Sequence, residues 1–332
     1  MKQSMLYPRA SASRRVVDLG GMWKFCLDWD GTGDAKGWKD GIPGEEKIPV
    51  PASFNDFYTD KNIREFAGDF WYETEVFVPG EWKEMHVDLR FAALTHRGTV
   101  YVNGQEIISH EGGFLPFSAR IDDVVRWNEK NLVVVKGNNE LSFTSLPAGF
   151  TQTLKSGKKM VRPFFDFFNY AGIQRPVKLV ALPKEYIVDF TVNHRLEGTT
   201  AYVDYQTETT GDHPVTVEVF DEAGNFVTKA EGKEGTLTIP DARLWEVRDA
   251  YLYRFVLRIL DGDAVLDEYE EEIGIRTFEI QGNSFHLNGH PVYLKGFGKH
   301  EDSDIVGRGY HPGVIKRDFE LMKWIGANSF RT

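Results

Sequence analysis

MHVDLRFAALTHRGTVYVNGQEII, Met85 to Ile108, is the stretch that decides the fold. Met85, Val87, Leu89 and Phe91 alternate with His86, Asp88 and Arg90, the period of two that places apolar side chains on one face of a strand. Thr99 to Val102 predicts a second strand. Asn103-Gly104 then supplies a tight turn, because both positions tolerate positive φ, and the chain returns along Glu106 to Ile108. The same pattern extends upstream. Trp23, Phe25 and Leu27 alternate with Lys24 and Cys26, and Tyr72, Thr74, Val76 and Val78 form a run closed by Pro79-Gly80. No amphipathic helix of convincing length interrupts Val16 to about Leu182. Many short strands with Gly, Pro and Asn punctuation predict a jelly-roll sandwich over residues 1–182.

Leu182-Pro183-Lys184 marks a boundary. Val188, Phe190 and Val192 open a second set of strands, and Val215, Val217 and Val219 run into the hairpin loop DEAGN, Asp221 to Asn225. Tyr251, Tyr253, Phe255, Leu257 and Ile259 alternate cleanly before a turn at Asp261-Gly262 and a return strand ending near Ile275. Residues 183–276 therefore predict an immunoglobulin-like β-sandwich, without the cysteine pair of antibody domains.

The pattern changes after Thr277. Phe285 and Leu287 lead to Asn288-Gly289, and Val292 to Leu294 continue as a strand ending at Gly296 to Gly298. A polar loop, HEDSDIVGRGYHP from His300 to Pro312, is expected to be exposed and easily cleaved within Glu301 to Arg308. Ile315, Phe319, Met322 and Ile325 then form a helical stripe, Gly326 sits where a helix-ending glycine belongs, and ANSFRT begins another strand. Residues 277–332 thus read as the first βαβ unit of a truncated (β/α)8 TIM barrel, whose complete form needs roughly 250 residues. The overall class is mainly β.

Composition narrows the partners. A formal charge of −11 disfavours nucleic acid and anionic membranes, so an anionic ligand would need a local basic pocket. Aromatics at 14% suit sandwich cores and also make flat platforms for sugar rings. Cys26 is the single cysteine, which excludes an intrachain disulfide and fits a reducing compartment. MKQSMLYPRASASRRVV at the N-terminus lacks a leader's apolar core, and the longest apolar runs, such as LVVV at Leu132 to Val135, fall far short of the ~20 residues of a membrane span. A cytoplasmic protein is expected.

Three positions are candidates for chemistry. Asp166 lies among Phe164, Phe165, Phe167 and Phe168. A carboxylate there must reach solvent, a basic partner or a ligand hydroxyl, since burying an unpaired charge costs several kcal/mol. It either pins its loop or meets a ligand. His300, with Glu301, Asp302 and Asp304, follows the first barrel strand on the face where barrel enzymes place their sites, although a solvated acidic loop has the same composition. Arg331 ends the second barrel strand and suits an ion pair that orients a catalytic carboxylate. His286 and His290 flank the Asn288-Gly289 turn and are not a helical metal pair; no cofactor or metal motif is present.

Seven runs carry a family resemblance: PVPASFND (Pro49 to Asp56), AGDFWYETEVFVP (Ala67 to Pro79), THRGTVYVNGQEI (Thr95 to Ile107), HEGGFLPF (His110 to Phe117), DFFNYAGIQRPV (Asp166 to Val177), GFGKHEDSD (Gly296 to Asp304) and WIGANSFRT (Trp324 to Thr332). In this order, over nearly the whole chain, they resemble the β-glucuronidases of glycoside hydrolase family 2. The resemblance implies a sugar-binding jelly roll, an immunoglobulin-like sandwich and a catalytic barrel. It makes Asp166 the aspartate projected towards the glycone, His300 a residue near the sugar and Arg331 the supporting arginine of the family signature. Ala52 departs from the glycine of bacterial relatives. The implied reaction is retaining hydrolysis of terminal β-D-glucuronides, small molecules or glycans, by a homo-oligomer without cofactor. The catalytic glutamates and the carboxylate-reading Asn-x-Lys belong to later barrel strands, so no catalytic residue is assigned and the 332 residues alone are expected to be inactive. A β-galactosidase-like hydrolase shares the architecture. A stand-alone carbohydrate-binding protein is disfavoured by the half-built barrel.

Overall fold

The structure is a computed structural model and describes residue 4 and residues 6–332. Two compact units result. One comprises Val17–Ala181 with His300–Asp318; the other comprises Leu182–Lys299 with Phe319–Thr332 and the N-terminal residues up to Val16.

The first unit is a sandwich of two sheets. One has the order Lys47–Val50, Gly21–Leu27, Asp69–Val78, Glu129–Asn138, Arg97–Val102, Gln105–Glu111. The other has the order Arg15–Asp18, Val177–Leu182, His86–Phe91, Phe117–Arg120. The alternating residues do what their spacing predicts. Trp23, Phe25, Leu27, Tyr72, Val76 and Val78 from the first sheet share a buried core with Val87, Leu89, Phe91, Val177 and Leu179 from the second. Trp71 faces the opposite way, yet is also buried, because Trp38 and Ile42 cover that side of the six-stranded sheet. Asn103 and Gly104 adopt φ of 51° and 79°, and Val102 pairs with Gln105 across this left-handed two-residue turn. One further hairpin, Gly149–Thr153 with Lys159–Pro163, carries no strong alternation and is not evident in the sequence.

The second unit contains a three-stranded sheet (Ile187–Glu197, Thr200–Thr209, Glu234–Ile239) and a four-stranded sheet (Phe226–Glu231, Val215–Phe220, Tyr253–Asp261, Ala264–Ile273). Val203, Tyr205, Leu237 and Ile239 meet Val217, Val219, Phe255, Leu257 and Ile259 in its core. Seven antiparallel strands divided three and four match the immunoglobulin-like expectation. The N-terminal residues are held here by a buried ion pair. Arg14 Nη2 and Nε reach Asp267 Oδ2 and Oδ1 at 2.5 and 2.9 Å, with side chains 3% and 0% exposed. Further bonds tie the pair to its surroundings: Ile187 N and Ser13 Oγ donate to Asp267, and Arg14 Nη2 also donates to Ile187 O.

Beyond Thr277, a three-stranded antiparallel sheet (Phe278–Gln281, Ser284–Leu287, His290–Val292) precedes the barrel strand. The expected strand through Val292 to Leu294 is thus divided: Val292 belongs to the hairpin, and Gly296–Gly298 is separate. Asn288 and Gly289, at φ 52° and 78°, close that hairpin. Gly296–Gly298 pairs in parallel with Ser329–Arg331, and helix Pro312–Trp324 connects them. The two strands approach so closely that a Cβ on Gly296 would collide with Ser329 O. Gly326, at φ 89°, follows the helix as expected, its N–H donating to Lys323 O. No residue of this helix is buried; Leu321, Trp324 and Ile325 are exposed.

The polar loop after the barrel strand is exposed at Glu301, Asp302, Asp304 and Ile305, as expected, yet its backbone is tied to the first sandwich. Ser53 N donates to Val306 O at 3.0 Å, Tyr310 N donates to Gln174 O at 2.8 Å, and Ser53 Oγ donates to Arg308 O. Arg175 Nη2 spans both oxygens of Glu301 at 3.0 and 3.2 Å. Backbone bonding on both sides fastens residues 301–310 to the first sandwich, a partnership that composition cannot reveal.

Removing one member of a buried pair strands the other charge. Asp267→Ala should lower the unfolding free energy by about 3–5 kcal/mol. Arg14→Met combined with Asp267→Leu should recover much of that loss, as read by urea denaturation with circular dichroism. A single variant as stable as the parent would contradict this account of the second unit.

Candidate functional site: an aromatic loop on the first sandwich

Residues 164–173 follow strand Lys159–Pro163 outside any named strand, and backbone and side chains share the task of holding them: Phe54 N donates to Ala171 O, Thr95 N to Gly172 O and Ala52 N to Ile173 O. Asn55 Oδ1 accepts from Ala171 N at 2.7 Å, while Asn55 Nδ2 donates to Arg64 O at 2.9 Å. Tyr170 donates its hydroxyl to Asp56 Oδ2 at 2.7 Å, and Arg64 Nε donates to Asp56 Oδ1 at 2.5 Å. Burial and the Asp56 carboxylate push the Tyr170 phenol up to about 12. The Arg64 guanidinium lies 3.9 Å over the Phe168 ring.

A second chain of polar contacts runs deeper. His96 Nε2 donates to Asn169 Oδ1 at 2.6 Å, and Asn169 Nδ2 donates to Asn139 O at 3.1 Å. Asn139 in turn accepts from Gly68 N and donates to Phe66 O. His96 Nδ1 is buried without a partner among the described residues, which fits a neutral ring. Burial holds the His96 imidazole down at about 4, only partly offset by Asn169.

Asp166 takes no part in either network. It is exposed at the bend of the loop and makes no hydrogen bond or ion pair among the described residues. The aromatic rings around it are ordered by one another rather than by the carboxylate. Phe165 stacks on Phe167 at 4.2 Å, and Phe164 packs on Phe143 and Phe150 at 5.6 and 6.0 Å. The pinning role open to Asp166 in the sequence is thus performed by Asn55, Asp56, Asn169 and Tyr170.

His300 lies in the same unit, exposed, with its ring 6.4 Å from that of Phe167. Arg308 bridges the same surroundings: its guanidinium is 4.8 Å from the Phe167 ring and 5.2 Å from that of Phe114, and its Nε is 3.8 Å from Asp302 Oδ1. Arg331 belongs to the other unit. Its carbonyl accepts from Lys299 N at 2.7 Å, and its guanidinium lies beside Gly298. It forms no ion pair among the described residues. Asp166 and His300 therefore share one aromatic neighbourhood through Phe167. Asn55, Asp56, Arg64, His96 and Arg308 were not singled out in the sequence; Asn55, Asp56 and His96 fall within resemblance runs, and Arg64 and Arg308 carry no signal at all.

Two antiparallel sandwiches thus precede a parallel βαβ start, and an unengaged carboxylate stands on a braced aromatic loop of the first. The family profiles agree in order: glycosyl hydrolases family 2, sugar binding domain, over residues 16–183; glycosyl hydrolases family 2 over 177–276; and glycosyl hydrolases family 2, TIM barrel domain, over 278–332. The chain belongs to glycosyl hydrolases family 2. It is 41% identical over 340 residues to the β-glucuronidase of Paenibacillus borealis, covering 99% of this chain and 56% of that protein. The human β-glucuronidase is 36% identical over 364 residues, covering 100% and 56%. The crystal structure of Ruminococcus gnavus β-glucuronidase matches with a TM-score of 0.97 at 55% identity, covering 99% of this chain and 56% of that one. The same enzyme in complex with D-glucuronic acid matches at 54% identity, also with a TM-score of 0.97. The chain thus spans about half the length of the relatives it matches.

His96 gives a pH test of the bracing network. Its folded-state value of about 4 lies below the ordinary 6.5, so its contribution is complete above pH 6.5 and is lost as the pH falls towards 4. The loss should amount to at most about 3 kcal/mol. His96→Gln keeps a donor for Asn169 and should flatten the stability profile between those limits in urea titrations. Equal slopes for variant and parent would assign the acid sensitivity elsewhere.

Proposed function

We propose that these residues form the N-terminal portion of a retaining β-glucuronidase, divided into a sugar-binding jelly roll (1–182), an immunoglobulin-like sandwich (183–276) and the start of the catalytic barrel (277–332). The observation that carries this reading is the Asp166 carboxylate, exposed and unbonded on a loop whose other polar groups are engaged. Such a group is available to accept hydroxyl hydrogen bonds from a glycone. His300 borders the same aromatic surface, and Arg331 ends the second barrel strand, where it would support a catalytic carboxylate. The substrates are terminal β-D-glucuronides, as small molecules or on glycans, which is supported by relatives named β-glucuronidase and by the glucuronic acid complex of the R. gnavus enzyme.

In retaining hydrolysis, one carboxylic acid protonates the leaving oxygen and a second, ~5–5.5 Å away, attacks the anomeric carbon. The family resemblance assigns that pair to later barrel strands, so the residues here contribute binding and orientation. We infer a cytoplasmic homo-oligomer without nucleic-acid or membrane partners, on the single cysteine, the charge of −11 and the resemblance. Among the described residues no helix is long and apolar enough to cross a membrane.

The test uses the polypeptide extended through the rest of the barrel, assayed with aryl β-glucuronide and aryl β-galactoside. Glucuronide turnover is expected, and preference for galactoside would overturn the substrate assignment. In that polypeptide Asp166→Ala should lower kcat/KM roughly ten- to a hundredfold, the value of one lost charge-assisted hydrogen bond. Its melting temperature should hardly change, because the carboxylate braces nothing. A destabilised variant with normal kinetics would return Asp166 to a scaffolding role. The 332 residues alone should show no turnover.

A further inference from the structure

A second cleft lies on the first sandwich, with a volume of about 660 Å³. That is within the ~300–1,000 Å³ of small-molecule sites. Trp29 stands at its edge, 62% exposed, against the buried Phe66 ring at 5.0 Å and 80°. The exposure is built in rather than slack. Asp28 Oδ1 accepts from Thr32 N and Oδ2 from Gly33 N, both at 2.9 Å, and Asp28 N donates to Asp69 O at 2.9 Å. The turn carrying Trp29 is thereby fixed, and the indole is presented to solvent on a rigid support.

The polar lining sets the ligand class. Lys158 and Lys159 line the cleft, but Lys158 pairs with Glu65 at 3.2 Å and Lys159 pairs with Glu140. Each lysine is balanced by a carboxylate, and Asp28, Asp30 and Asp69 add further negative charge, so the lining disfavours an anionic sugar. The Asn62 side-chain amide and the Trp29 indole N–H have no hydrogen-bond partner among the described residues. A flat apolar face, unpaired donors and fixed carboxylates suit a pyranose ring: its polarised C–H face meets the negative aromatic face, and its hydroxyls meet the polar groups.

We propose that this cleft binds a neutral, β-linked oligosaccharide, with one sugar face on Trp29 and hydroxyls bonded to Asn62, Glu65 and Glu140. Equatorially substituted gluco- or xylo-configured units present the flattest face to the indole. An adjoining cavity of about 280 Å³ shares Glu65, Phe66, Lys158 and Lys159 and extends to Phe167 and Phe168, beside the Asp166 bend. A glycan seated on Trp29 would therefore run towards the loop proposed to meet the glycone. Binding at Trp29 does not depend on the glucuronide reading.

Isothermal titration of the 332-residue chain with cellotetraose, xylotetraose and methyl β-D-glucuronide tests the proposal. Saturable binding of at least one tetrasaccharide is expected, weakened at least about tenfold by Trp29→Ala. Trp29→Phe should retain part of the affinity, and Asn62→Ala should weaken it without touching the aromatic packing. Asp166→Ala should leave it unchanged, which separates this site from the glycone loop. Absence of saturation with both tetrasaccharides would overturn the proposal. So would binding that survives Trp29→Ala, or binding that is lost in Asp166→Ala.

Discussion

A loop that leaves a β-sandwich must have its polar groups satisfied outside a regular ladder, and the candidate site depends on how this chain meets that constraint with backbone and side-chain bonds together. Asn55 receives the Ala171 N–H, Asp56 receives the Tyr170 hydroxyl, and Asn169 joins His96 to the Asn139 carbonyl. Each bond contributes about 1 kcal/mol, but a partner left buried and unsatisfied costs about 1–3 kcal/mol, so the set is held together by the cost of breaking it. With the brace complete, Asp166 is not needed by the fold. Its carboxylate is fixed in place by its neighbours while remaining unengaged.

The apolar framework was legible in the sequence, because strand burial and an amphipathic helical stripe leave periodic marks. Trp23, Phe25 and Leu27 could only alternate into a core, Asn103-Gly104 and Asn288-Gly289 could only turn, and Ile315 to Ile325 could only be helical. The polar framework was not legible. Arg14 and Asp267 are 253 residues apart, and His96 and Asn169 are 73 apart. A hydrogen bond between distant residues imposes no period on either stretch. The loop at 301–310 is exposed at Glu301, Asp302 and Asp304 as its composition suggested, but the carbonyls that Val306 and Arg308 offer to Ser53 leave no mark on it. The sequence setting made Asp166 and His300 candidates, and the resemblance gave them roles.

Charge is organised locally against an acidic whole. A protein of formal charge −11 repels anions at long range, and screening leaves only groups within about a Debye length to act on a bound ligand. In the first sandwich the cations are mostly committed: Arg64 to Asp56, Arg175 to Glu301, Lys158 to Glu65 and Lys159 to Glu140. Arg308 differs from these in kind. It spreads its charge over Phe114 and Phe167 and meets Asp302 only at 3.8 Å, so much of its positive field remains near the aromatic loop.

The exposed helix that connects the barrel strands has an optical consequence. Of the eight tryptophans, Trp23, Trp38, Trp71 and Trp82 are buried, whereas Trp29 and Trp324 are 62% and 82% exposed. Indoles inside a sandwich emit at shorter wavelength and are shielded from dissolved quenchers; indoles in water emit to the red and are quenched readily. Trp324 therefore marks the helix end, sharing the red, quenchable emission with Trp29 alone among these six. Anything that covers that face would shift its emission to the blue and protect it from iodide, while the interior tryptophans would register nothing.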